Sequence, residues 1–144
     1  MKVVKFGGSS LASATQLEKV LNIIKSDEER RFVVVSAPGK RDAQDTKVTD
    51  ALIRYYRSYT SDKDVTADQS WIINRYRAII DELGLGQNIL EKITKAIVDL
   101  ANLPIKDNDF LYDTFLAAGE DNNAKLIAEY FRKNGLSARY IHPK

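Results

Sequence analysis

Apolar positions along the chain change their period several times, and each change marks an element. Lys2 to Phe6 has the pattern of a short strand, ended by Gly7-Gly8. Ser13-Ala14-Thr15-Gln16 then has the S-x-x-Q form of a capping box. After it, Leu17, Val20, Leu21 and Ile24 fall at i, i+3, i+4 and i+7, the stripe of an amphipathic helix. Phe32-Val33-Val34-Val35 is a continuous run of the kind buried on both faces of a parallel sheet. Strand, helix and strand in this order predict a βαβ unit with a right-handed crossover.

Most of the remaining chain keeps a helical period. Val48, Ala51, Leu52 and Tyr55 predict one helix. Ile72, Tyr76, Ile79 and Leu83 predict a second, stopped at Gly84-Leu85-Gly86. Ile89, Ile93, Ala96, Ile97 and Leu100 predict a third, terminated by Pro104. A long helix is expected from about Asp109 to Lys133, with Asn134-Gly135 as a left-handed cap. Ala138 to His142 reads as a third strand with Pro143 at its end. The organisation is β-α-β, a helical block, then β, without repeats or linkers. Three short strands are few for a parallel α/β domain. The expectation is therefore a minimal sheet or the front part of a larger domain.

Composition narrows the chemistry. The 144 residues are 44% hydrophobic and 29% charged, as in one ordinary globular domain. Lysine and arginine total 22 against 20 acidic residues, so there is no basic excess to neutralise a nucleic-acid backbone. Arg54-Tyr55-Tyr56-Arg57 and Arg75-Tyr76-Arg77 interleave basic and aromatic residues. They are read as helix segments with arginines in solvent and tyrosines in the core. Trp71 is read as a core anchor and His142 as a strand-end residue. No cysteine is present, which excludes disulfides and thiolate chemistry. A single histidine, His142, disfavours a zinc site and a Ser-His-Asp triad, which would depend on that one residue. No apolar run reaches the ~18 residues of a membrane span. The start, Met1-Lys2-Val3-Val4-Lys5, meets glycine too soon for a signal peptide. A cytoplasmic location is the default.

Three segments can carry chemistry. Lys5-Phe6-Gly7-Gly8-Ser9-Ser10 places two glycines at a strand end ahead of a helix, an arrangement suited to phosphate. The lysine precedes the glycines, so this is not a Walker A loop. A tight turn with a surface lysine would look the same. Ser36-Ala37-Pro38-Gly39 ends the second strand, and loops at neighbouring parallel strand ends share one crevice. Gly119-Glu120-Asp121 interrupts a helical stretch with a glycine that costs a helix ~1 kcal/mol relative to alanine. Either a backbone or ligand approaches there, or the glycine marks a helix junction with Glu120 and Asp121 at a helix N-terminus.

These motifs, with Val48-Thr49-Asp50 opening a helix between them, resemble the aspartate kinase family in order and rough spacing. The resemblance implies the amino acid kinase fold, a three-layer αβα sandwich in the α/β class. Residues 1–144 would form the N-terminal amino-acid-binding lobe, with a mainly parallel sheet and a helical block. The nucleotide-binding half and regulatory ACT domains would lie outside this chain, leaving it inactive alone. Lys5 matches the family's catalytic lysine and, with Gly7, Gly8 and Ser9, the contacts to the phosphates of ATP. Ser36, Thr49 and Glu120 match residues that bind L-aspartate. Mg²⁺ would be carried by ATP, without a protein metal site. The implied product is 4-phospho-L-aspartate, at the entry to lysine, threonine and methionine synthesis. Partners would be small molecules and, in the full-length enzyme, further copies of the chain, with no nucleic acid or membrane. Where the family often has serine on either side of the glutamate, this chain has Ala117 and Asn123, and Ala118 replaces a common arginine or histidine. Alternatives are another superfamily kinase (for acetylglutamate, glutamate, carbamate or UMP) and a non-catalytic anion-binding module.

Overall fold

A computed structural model describes residues 1–142. Strands β1 (Lys2–Phe6) and β2 (Arg30–Val35) pair in parallel, with Val3 opposite Phe32 and Phe6 opposite Val35. Between them run a 3₁₀ turn, Gly8–Leu11, and helix α1 (Ala14–Lys25). Ser13 caps α1 by accepting from the Gln16 amide at 3.4 Å. The Gln16 side chain does not close the capping box. Its Nε2 donates to the Ser9 carbonyl instead, tying the helix start to the glycine turn.

The helical block contains α2 (Val48–Thr60), α3 (Thr66–Leu83), α4 (Gln87–Asp99) and α5 (Asn108–Lys133). Gly84 ends α3 at φ 66°, and Gly135 follows α5 at φ 88°. Both are left-handed conformations that a side chain would disfavour. Asp107 starts α5 by accepting from the Phe110 amide at 3.0 Å. The predicted stripes turn inward. Leu17, Leu52, Ile72, Ile93, Ile97 and Leu126 are all fully buried, each contributing about 1.5–3 kcal/mol relative to exposure. Tyr55 is buried at the centre, edge-on to Phe115 at 4.9 Å between ring centroids. Its hydroxyl donates to the Ile97 carbonyl at 2.8 Å and accepts from Gln69 at 2.9 Å. One polar atom thereby links α2, α3 and α4.

Two expectations are corrected. The sheet is not covered on both faces within the described residues. Val4, Phe6, Val33 and Val35 face the helices, whereas Val3 is 70%, Phe32 47% and Val34 49% exposed. The apolar run reports a strand, but it does not determine which atoms cover each face. Ala138 to His142 also forms no strand, and the sheet has two strands among the described residues. A ladder needs a backbone neighbour within ~5 Å. This segment is held by side chains of α5 instead. Arg132 donates to the Ala138 carbonyl at 3.2 Å, Tyr140 donates to the Asp121 carboxylate, and Lys125 lies over the Tyr140 ring. His142 stands edge-on to Tyr140. Pro143 lies outside the described residues. Trp71 is half-buried and packs against the core margin.

Candidate active site

Because β1 and β2 are adjacent and parallel, the loops leaving their C-terminal ends meet. The Ser36 amide donates to the Phe6 carbonyl at 3.3 Å and the Gly39 amide to the Gly8 carbonyl at 2.9 Å. A Cβ on Gly39 would lie 2.6 Å from the Gly8 carbonyl carbon, and one on Gly8 would lie 3.2 Å from the Ala37 oxygen. Backbone against backbone therefore requires glycine at position 39 and leaves only a tight fit for a side chain at position 8. Gly7 differs, for a Cβ there would meet nothing within 4 Å.

The joined loops open onto a cleft of about 460 Å³, lined by residues including Gly8, Ser9, Ser36 and Thr49. These are candidates from three separate stretches of sequence, brought to one place. Lys40 and Lys47 also line the cleft, and no acidic side chain does. Such a lining favours phosphate or carboxylate ligands. Sequence reasoning passed over these two lysines, though both flank candidate motifs.

Lys5, Gly7 and Glu120 lie outside that lining. Lys5 is opposite Val34 in the ladder and shares the open sheet face with Val3. It is exposed and makes no hydrogen bond or ion pair among the described residues. Glu120 is exposed on α5, which runs unbroken through Gly119. The helix-junction alternative is thus excluded, and close approach explains the glycine. A Cβ at Gly119 would lie 2.8 Å from the Ala37 Cβ and 3.1 Å from Leu52. One turn on, Asn123 is fully buried and donates to the Ser36 carbonyl at 2.8 Å. At 100° per residue, Glu120 occupies the flank beside the face formed by Gly119 and Asn123. The contacts to Ala37 and Ser36 themselves belong to Gly119 and Asn123. Asn123 is a third residue the sequence did not single out for a contact, and only its helical spacing from Gly119 hinted at one.

Helix α3 holds this arrangement from behind. The Tyr76 hydroxyl donates to the Gly119 carbonyl at 2.7 Å, and complete burial raises its pKa far above that of free tyrosine. Arg75, expected in solvent, is only 3% exposed, which corrects the reading of Arg75-Tyr76-Arg77 as a solvated arginine face. Its Nη2 donates to the Ala12 carbonyl and, at 3.0 Å, to the Gly39 carbonyl. Backbone carbonyls attract the guanidinium inward, and no local periodicity reveals them.

The loop between β2 and α2 is closed by Asp45. Arg41 donates to it from Nε at 2.7 Å, from Nη2 at 3.0 Å and from its own amide at 2.9 Å. The Arg41 hydrogen bond holds the Asp45 carboxyl well below the usual carboxylate range. A depressed folded-state pKa stabilises above the unfolded value near 3.9, and that stability is lost as pH falls below it. Asp45→Asn is expected to cost about 2 kcal/mol near neutral pH. Urea melts across pH should show the gap to the parent closing below about pH 4. A pH-independent gap would remove the ionic role.

Among the described residues, no group of three or more His, Asp or Glu stands together as a metal site. No helix of the described residues is long and apolar enough to cross a membrane.

The family model for the amino acid kinase family matches residues 1–144. The chain belongs to the amino acid kinase family. This amino acid kinase family member is 50% identical, over its whole length, to Aspartokinase 3 of Bacillus subtilis, covering 32% of that protein. It therefore spans about a third of the length of that curated relative. Its fold is similar to the solved aspartate kinase of Clostridium acetobutylicum, with TM-score 0.75 and 35% identity, covering 90% of this chain and 29% of that one. E. coli aspartokinase III, solved with aspartate and ADP, shares the fold at TM-score 0.63 and 24% identity, over 95% of this chain and 30% of that one. The expected α/β class, with a small parallel sheet and a helical block, agrees with these likenesses.

Proposed function

We propose that this segment is the N-terminal, amino-acid-binding lobe of an ATP-dependent aspartate kinase, with the nucleotide-binding half supplied by further sequence. The observation that carries the proposal is the cleft. Gly8, Ser9, Ser36 and Thr49 converge there without an acidic neighbour, in a chain half identical to an aspartokinase throughout.

A β-carboxylate oxygen of L-aspartate attacks the γ-phosphorus of ATP. A P–O bond forms, the bond to the ADP oxygen breaks, and the products are 4-phospho-L-aspartate and ADP. The acceptor is already ionised at neutral pH, so no general base is needed and the protein's work is alignment and charge stabilisation. Gly7, Gly8 and Ser9 offer main-chain amides and a hydroxyl to the phosphates. Lys5 supplies positive charge to the phosphoryl group in transfer. Ser36 and Thr49 hydrogen-bond the substrate, and Glu120 takes its α-ammonium. The donor set fits magnesium arriving with the nucleotide, since the cleft offers hydroxyls and no carboxylate. When bound, Mg²⁺ would neutralise phosphate charge. The lysine, threonine and methionine branches, a cytoplasmic setting and a homo-oligomeric enzyme belong to the same reading.

A chimaera tests it, with residues 1–144 replacing the matching third of the Bacillus subtilis relative. Aspartate-dependent ADP release is expected in a coupled assay. Turnover of acetylglutamate, glutamate, carbamate or UMP in place of aspartate would move the substrate assignment within the family. A folded chimaera without turnover on any acceptor would overturn the reading in favour of a non-catalytic module.

A further inference from the structure

Arg75 is a buried charge whose ion pair with Asp45 is long and not hydrogen-bonded. The Asp45 carboxylate, the acid facing it, is 3.9 Å from its Nε and already engaged by Arg41. Arg75 Nε and Nη1 have no hydrogen-bond partner among the described residues, and burial lowers the pKa of the group. A buried guanidinium so poorly compensated costs folding energy that an apolar side chain would not. What it gains is placement. Its Nη2 reaches the carbonyl of Ala12, after the glycine turn, and the carbonyl of Gly39, on the second loop. Those loops touch at Gly8 and Gly39, where there is no spare room.

We propose that Arg75 is a positioning residue for phosphate binding, a brace from α3 that sets the spacing between the Gly8–Ser9 and Ser36–Gly39 walls of the cleft without touching the ligand. The inference rests on the reading of that cleft given above and adds a residue outside its lining. Main-chain amides bind phosphate well only when their directions are set beforehand, because reorientation on binding consumes affinity. Ser36 is held independently of Arg75, by Phe6 and Asn123, and Thr49 on α2 and Glu120 on α5 are placed by other contacts. Loss of the brace should therefore fall on phosphate and spare the amino acid.

The test uses the 144-residue chain, titrated by NMR with pyrophosphate and, separately, with L-aspartate, alongside thermal melts. Arg75→Met keeps most of the apolar stem and removes the fork, whereas Arg75→Lys keeps the charge without the planar guanidinium geometry. Pyrophosphate Kd is expected to rise about tenfold or more in Arg75→Met, as for one lost charge-assisted hydrogen bond, with Arg75→Lys between. Aspartate Kd should stay within about threefold. Equal weakening of both ligands would mean a merely structural arginine and overturn the brace. So would unchanged pyrophosphate binding. If the parent chain binds neither ligand, the cleft assignment fails first and the brace falls with it. If neither variant folds, the parent decides: pyrophosphate should slow hydrogen exchange at the Arg75 guanidinium and the Gly39 amide. Exchange that pyrophosphate leaves unmoved would overturn the proposal.

Discussion

Lys5→Ala in the chimaera is expected to lower kcat by about 10²–10³-fold while aspartate KM stays within about threefold. Lys5 carries no structural burden that its loss would reveal, being exposed and unpaired among the described residues. Its backbone is fixed by the ladder opposite Val34, one residue before the buried Phe6 and two before the glycine turn. An ammonium on so rigid a support acts mainly where negative charge builds up during transfer. Its removal should therefore raise the barrier more than it weakens ground-state binding. The melting temperature should barely move. Steady-state kinetics with both substrates varied provide the check. A kcat within about threefold of the parent, under ~1 kcal/mol of barrier, would remove Lys5 from the reaction.

Glu120→Gln should produce the second large effect, and it should fall on the other substrate. Aspartate KM is expected to rise about 10- to 100-fold with ATP KM nearly unchanged, as for one charge-assisted hydrogen bond worth ~1.5–3 kcal/mol. A deeply buried pair would cost more when broken from one side. The exposure of Glu120 argues for the smaller figure. The substitution leaves the helix alone, because the close contact there belongs to Gly119 and the buried hydrogen bond to Asn123. Competition between aspartate and analogues lacking the α-amino group gives an independent measure, and Glu120→Gln should narrow that preference. An unchanged aspartate KM would leave Glu120 a solvated helix residue and reopen the other acceptors of the family.

Much of this molecule was legible in one dimension. The stripe Leu17, Val20, Leu21, Ile24 is the buried face of α1. Gly84 and Gly135 stand at positive φ where helices end, and Ser13 caps the first helix. Period and turn chemistry are local, so a few neighbouring residues suffice to express them. The glycine loop, Ser36 and Thr49 were likewise recognisable as motifs, and the family match extends over the whole chain.

Tertiary structure decided what those motifs do to one another. It turned Gly8 and Gly39 into a backbone contact and gave Gly119 a partner in Ala37. It buried Arg75 behind a loop end 63 residues away and joined Asn123 to Ser36 across 87. It also left one sheet face open and kept Ala138 to His142 out of the ladder. None of these has a period. Each depends on which carbonyl, methyl or strand edge arrives opposite a residue after the chain has folded. A local pattern cannot encode the distance between two segments that meet only in space.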